Sequence, residues 1–244
     1  MSNTMNILAA TMSTDADALR VIAQNVSSAD SVAYRRQVQI SRPDFGGLTD
    51  AAAKLSAGEL TAAIPLPQVQ IAIDTRAGTL RNTAEPLDIA IQGDGYFVLN
   101  TARGELLTRR GDFHTDAAGI LTAFSGDPVL GTEGVIHIDG TPQVDAAGTI
   151  RLGSQVLGHL RLVQLAADAK LVPSGDGLFA SQGADPVEST TAQVHQGFLE
   201  TSNVSPVNEM LRLLQSVRHF EAGQRFVRAY DEMLDRAITD LGKI

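Results

Sequence analysis

Apolar residues near the start of the chain fall at alternating steps of three and four: Met5, Leu8, Met12, Leu19, Ile22 and Val26, with Asp15 the one polar member of the series. The stripe is narrow and flanked by Ala9, Ala16 and Ala23, which predicts a helix over 4–27 whose seam suits a coiled coil. At ~1.5 Å per residue it would extend about 35 Å. The helix then meets Ser27, Ser28, Ala29, Asp30 and Ser31, small and polar residues that cannot continue the seam. The same spacing returns at the other end as Met210, Leu213, Val217, Phe220, Val227, Leu234, Ile238 and Leu241, interrupted at Gln224 and Asp231. Ser205 is an N-cap residue, Pro206 suits the first helical position, Glu209 lies in the acid-favouring first turn, and Gly242 can end the helix. Such a helix far exceeds the mean of about 11–12 residues, which again favours a coiled coil.

Between the ends, the helical period disappears. Short alternating runs punctuated by glycine and proline predict strands at 68–75, 87–91, 95–100, 106–109, 120–123, 135–138, 149–152 and 157–165. Two turns are near copies, DAAGIL at 116–121 and DAAGTI at 145–150, each with aspartate to start the turn and glycine to take positive φ. The alanine-rich stretch between Ser41 and Pro67 reads as a connector, with a weakly patterned possible helix at Leu48–Leu60. The expected fold is mixed α and β: long N- and C-terminal helices pairing as a coiled coil, with an inserted, mostly antiparallel β module. The divisions are 1–40 for the first helix and exit, 41–67 for the connector, 68–195 for the β module and 196–244 for the last helix.

A chain of 244 residues, 43% hydrophobic and 19% charged, can bury a real core, and its net charge of −9 disfavours nucleic acid and anionic lipid as partners. Positive charge is mostly arginine, since only Lys54, Lys170 and Lys243 are lysines, and arginine favours bidentate pairing with carboxylates. The absence of cysteine excludes disulfides and thiol chemistry. The opening stretch lacks the basic leader and continuous apolar run of a secretory signal, and no segment approaches the ~20 apolar residues that span a bilayer. Asp112, His114 and Asp116 share one face of a strand and offer a conceivable metal site, although polar residues on a solvent face explain the same spacing. The glycines around Asp94 lack a following helix or phosphate-binding lysine, and the five histidines form no metal or nucleophile motif.

Three stretches carry a family resemblance. IAQNVSSADSVAYRRQ resembles the N-terminal motif of bacterial flagellar rod and hook proteins, a helix running into Asn-Asn-Leu-Ala-Asn and then Thr-x-Gly before an aromatic residue. Asn25, Val26, Ser31 and Tyr34 carry the match; Gln24, Ser28 and Ala33 depart from it. The family has glycine where Ala33 stands, which sets a positive-φ turn there against the steric cost of a side chain. Residues 78–131 look like the family's β module. The C-terminal motif is the most specific, through Gln196, Gly197, Leu199, Glu200, Ser202, Asn203, Val204 and Val207. Residues 157–180 and 203–210 look most like members of the proximal rod, with the distal rod as the alternative.

The resemblance implies a structural, non-enzymatic subunit without cofactor or metal. It implies export through the flagellum's own channel without a cleaved signal, and a place in the basal-body rod across the periplasm. The implied partners are other rod subunits, copies of itself and the export apparatus, with neither nucleic acid nor membrane insertion. The residues expected to carry assembly are Leu8, Met12, Leu19, Ile22, Val26, Tyr34, Met210, Leu213, Val217, Phe220, Val227, Leu234 and Ile238, with Asn25 and the stretch from Gln196 to Val204 as the family motif. Tyr34 is expected to anchor the exit from the first helix. Two other classes stay open: a metal- or carbohydrate-dependent β enzyme centred on Asp112, His114 and Asp116, and a hook-type or adhesin-like structural protein.

Overall fold

The computed structural model describes residues 2–42, 68–166 and 169–241, so residues 43–67, with the possible helix at Leu48–Leu60, lie outside the described residues. The chain divides into two units, each gathered from separated segments.

One unit comprises Met1–Ser27, Gln37–Asp74 and Ser205–Ile244. It holds the N-terminal helix, Ser2–Ser27, the C-terminal helix, Pro206–Leu241, and a two-stranded antiparallel ribbon of Gln37–Arg42 and Gln68–Ile73. Both ribbon strands begin Gln-Val-Gln-Ile, a period-2 alternation that suits extended chain with unlike faces. Only the second is expected from the sequence, because the first follows directly on the polar exit of the helix. The C-terminal helix starts as predicted, with the Glu209 N–H donating to Ser205 O at 3.0 Å.

The expected pairing of the terminal helices as a coiled coil is not what the structure shows. The mixed α and β character stands, with two helices and a large antiparallel β body among the described residues, but a coiled coil needs both seam rows buried. Met210 is 53% and Val217 36% exposed, and beyond Glu209 no described side chain of the helix is buried. The half-buried row runs instead through Leu213, Ser216, Phe220, Gly223 with Gln224, Val227, Tyr230 and Leu234. Alternate positions therefore carry serine, glycine and tyrosine where a seam requires aliphatic knobs. The helices do touch, Asp15 Oδ2 lying 2.7 Å from His219 Nδ1.

The other unit comprises Ser28–Arg36 and Thr75–Val204. Its main sheet is antiparallel, six-stranded, in the order Lys170–Gly175, Leu178–Gln182, Gly104–Thr108, Tyr96–Thr101, Leu162–Gln164, Val187–Glu188. A three-stranded sheet of Gln143–Val144, Thr149–Leu152 and Gln155–His159 joins it, with short pairs around them, including Ile89–Gln92 with Gln193–Gln196 and Leu80–Asn82 with Phe198–Glu200. The run expected at 157–165 is two strands, Gln155–His159 and Leu162–Gln164. Ile89, Phe97, Leu99, Phe113, Leu121, Val129 and Ile150 lie at the centre of one continuous core, where Phe97 and Phe113 meet edge to face at 5.0 Å.

The two DAAG turns fold alike. Asp116 Oδ1 accepts from the N–H groups of Ala118 and Ile120 at 2.9 and 2.8 Å, and Asp145 Oδ1 from those of Ala147 and Thr149 at 3.0 and 2.9 Å. Gly119 and Gly148 take φ of 76° and 83°. Asp145 is held below the ordinary carboxylate pKa, foremost by the Thr149 N–H.

Candidate assembly site

Of the family motif residues, Asn25, Leu199, Glu200 and Val204 are buried, and Gln196, Gly197, Ser202 and Asn203 are half-buried. In the helix and ribbon unit, the Asn25 side chain is 0% exposed. Its Oδ1 accepts from Gln37 N–H at 2.9 Å and its Nδ2 donates to Gln37 O at 2.8 Å, so the amide pairs with the first ribbon residue as another strand would. Nδ2 also lies 3.3 Å from Glu209 Oε2, and Glu209 Oε1 is 3.6 Å from Arg212 Nη1. One amide thus joins the end of the first helix, the start of the ribbon and the first turn of the last helix.

In the β unit, the segment after the first helix and the segment before the last share a buried ionic cluster. Arg35 Nη2 lies 2.9 Å and Arg109 Nη1 3.5 Å from the two oxygens of Glu200, all three side chains being at most 4% exposed. Gly78 N–H donates to Glu200 Oε1 at 2.8 Å. Arg35 Nη1 donates to Arg76 O, and Arg109 donates to the carbonyls of Ile91 and Gly93. The Tyr96 ring faces the Arg109 guanidinium at 5.1 Å. Burial pushes the Tyr96 phenol above its ordinary pKa against the pull of Arg109 and Arg35; burial also lowers Arg109, against Glu200. Two guanidiniums on one carboxylate recover their desolvation cost only while that carboxylate stays ionised and in place.

Backbone bonds complete the junction. Ala33 N–H donates to Glu200 O at 2.8 Å and Asn203 N–H to Tyr34 O at 3.2 Å, while the Asn203 side chain accepts from Arg36 N–H and donates to Arg76 O, both at 2.7 Å. Ala33 takes φ of 51° despite its side chain, so the family's glycine turn is kept with alanine. Gln196 donates to the carbonyls of Pro86 and Pro142 and accepts from Val144 N–H. Gly197, at φ 76°, donates to Asp88 O and accepts from the N–H groups of Thr83 and Ala84. Leu199 and Val204 are buried, and Ser202 Oγ accepts from Val204 N–H.

Of the residues expected to carry assembly, Ile22 is buried, and Met12, Leu19, Val26, Tyr34, Leu213, Phe220, Val227 and Leu234 are half-buried. Met210 and Val217 face solvent, and the side chains of Leu8 and Ile238 lie outside the described ones. Exposed beside Met210 and Val217 are Val207, Leu211 and Leu214, an apolar patch on the first three turns of the last helix. The residues that sequence reasoning missed are Arg35, Arg109 and Tyr96; the bias toward arginine, suited to pairing with carboxylates, was the one signal, and it did not say which arginines.

The residues of the conceivable metal site are engaged separately. Asp112 takes two bonds from Arg110 at 3.1 and 2.6 Å, Asp116 holds its turn, and His114 is exposed. No group of histidines and carboxylates fit to hold a metal gathers among the described residues. Among the same residues no helix is long and apolar enough to cross a membrane.

The β unit and last helix match known proteins. Residues 90–155 match the family described as flagellar hook protein FlgE/F/G D1 domain, and residues 195–240 that described as flagellar basal body rod FlgEFG protein C-terminal. The flagellar basal-body rod protein FlgF of Mesorhizobium japonicum is 36% identical over 68% of this chain and 71% of its own. FlgF of Caulobacter vibrioides is 30% identical over 93% and 92%, and the rod protein FlgG of Bacillus subtilis 29% over 90% and 92%. The chain therefore belongs to the flagellar basal-body rod protein family as a structural subunit of the rod, most like FlgF.

Proposed function

We propose that the chain is a non-catalytic subunit of the proximal rod, exported through the flagellar channel without a cleaved signal and assembled across the periplasm with related axial subunits and copies of itself. The observation that carries this reading is the apolar patch of Val207, Met210, Leu211, Leu214 and Val217, left facing water on a helix whose other side is half-buried. Large apolar side chains clustered on one surface mark a partner site, because burying each is worth about 1.5–3 kcal/mol. In this reading residues 1–40 and 196–244 carry assembly, the β module over 68–195 lies outside them, and Tyr34 anchors the exit from the first helix. The distal rod is the second reading, supported by the FlgG relative matched along most of its length.

Met210→Lys tests the proposal, since an exposed position tolerates lysine in the single chain. The variant should keep its circular dichroism and thermal midpoint yet fail to enter basal bodies and to restore swimming to a strain lacking the native gene. Normal basal bodies and motility would remove the patch from the assembly surface.

A further inference from the structure

The last helix carries a second line of exposed side chains, apart from the patch on its first turns. Ala222, Phe226, Ala229 and Met233 follow one another at steps of four, three and four, and all of them face water, Phe226 being 55% and Met233 57% exposed. Each immediately precedes a half-buried residue, Gly223, Val227, Tyr230 or Leu234. The line therefore lies about 100° round the helix from the row that meets the first helix at Met12. Its spacing is that of a coiled-coil seam in which small and large residues alternate.

This line is complementary to itself when read in the opposite direction. With the last helices of two copies antiparallel and the two-fold axis between Val227 and Arg228, Phe226 stands opposite Ala229 and Met233 opposite Ala222. Every layer then joins a large side chain to a small one, so the space between the helices fills evenly. A parallel pairing would set Phe226 on Phe226 and Ala229 on Ala229, overfilling one layer and leaving a void in the next. Charge points the same way. In an antiparallel seam the residues just before the large ones face each other, which brings Arg225 of each copy against Glu232 of the other. Both side chains are exposed, and Arg236 stands 4.0 Å from Glu232. Such an isologous contact closes at two copies.

We propose that the unassembled chain pairs with a second copy of itself through this face, the last helices antiparallel, so that Phe226 and Met233 are covered. The contact goes beyond the rod-subunit reading and does not depend on it. An interface this short falls below about 1,200 Å², and sedimentation equilibrium of the full chain should give a dissociation constant on the order of 0.1 mM. Arg225→Glu and Glu232→Arg each set like charges together in their own dimers and should raise that constant about tenfold. An equimolar mixture of the two variants matches both pairs again and should associate within about threefold of the native chain. Parallel pairing gives no such rescue, since Arg225 would then meet Tyr230. Phe226→Ser, at an exposed position, should raise the constant about tenfold with unchanged circular dichroism. A chain that stays monomeric at about 1 mM, single variants that pair like the native chain, or a mixture no tighter than either variant overturns the contact. Met210→Lys separates this contact from the assembly patch, because it should leave the dimer intact. Loss of the dimer in Met210→Lys would place the contact on the first turns of the helix and overturn the proposal. An intact dimer together with normal entry into basal bodies would support the contact and count against the assembly patch.

Discussion

Glu200 stands between the buried guanidiniums of Arg35 and Arg109 in the β unit. Replacing it with the isosteric Gln leaves two buried guanidiniums sharing a neutral partner, and uncompensated buried charge costs about 3–5 kcal/mol. Urea denaturation of Glu200→Gln, followed by hydrogen exchange at core amides such as Leu99, should show a loss of that size; a change below about 1 kcal/mol would mean that the cluster is not coupled to the fold. Asp145 adds a smaller, pH-dependent contribution. Its folded pKa lies below the ordinary 3.8, so the stabilisation is complete above that value and is lost as pH falls through the depressed one. Titration of its carboxyl by NMR should place the midpoint below 3.8, and Asp145→Ala should remove about 1 kcal/mol at neutral pH, with little left to remove once the carboxyl is protonated. Glu200 and Asp145 were unequally legible in the sequence. The aspartate belongs to a local turn whose chemistry spans five positions, whereas the glutamate takes its meaning from Arg35 and Arg109, far away along the chain.

At the scale of elements, the strand pair Leu80–Asn82 with Phe198–Glu200 holds the lead-in to the last helix against the β body. Its approach depends on Gly78, where an added Cβ would stand 1.9 Å from Thr201 O, a distance no relaxation of a side chain relieves. Gly78→Ala should therefore separate the pair, costing about 3 kcal/mol and exposing the Thr201 amide, now bonded to Thr79 O at 2.8 Å, to rapid hydrogen exchange. Retained protection there would show that the backbone yields elsewhere. The last helix itself illustrates why spacing alone misassigned its seam. A three-four repeat identifies a face only to within one residue, about 100° of helix, and the half-buried row takes in Ser216 and Tyr230 where the apolar series uses the exposed Val217 and Asp231, with Gly223 half-buried beside Gln224. Small residues on that row, with Met12 Cγ 3.6 Å from the Cβ position at Gly223, favour close approach over interlocking knobs.

For the whole molecule, each of the two units is gathered from separated segments of the chain. Hydrogen exchange should accordingly resolve two blocks: amides of the core around Phe97, Leu99 and Leu107 exchanging last, and those of Pro206–Leu241 sooner, since little of that helix is buried. A single rate for both would show that the units unfold together. Family membership sets the context for the assembly surface proposed on the exposed helix face.

Amphipathic period, capping residues, the Asp-Ala-Ala-Gly turns and the C-terminal motif were decided by the sequence itself, because each depends on neighbours within about one helical turn or one hairpin. Family membership was legible for the same reason, through short contiguous motifs. Which face of the last helix meets the first, whether Ala33 takes a left-handed turn, and that Arg35, Arg109 and Glu200 form one buried cluster were settled only by tertiary structure. In each case the deciding partner lies far away along the chain, and burial can reverse what a local pattern favours: the charged Arg35, Arg109 and Glu200 became interior, and the apolar Met210 and Val217, assigned to a seam, were left facing water.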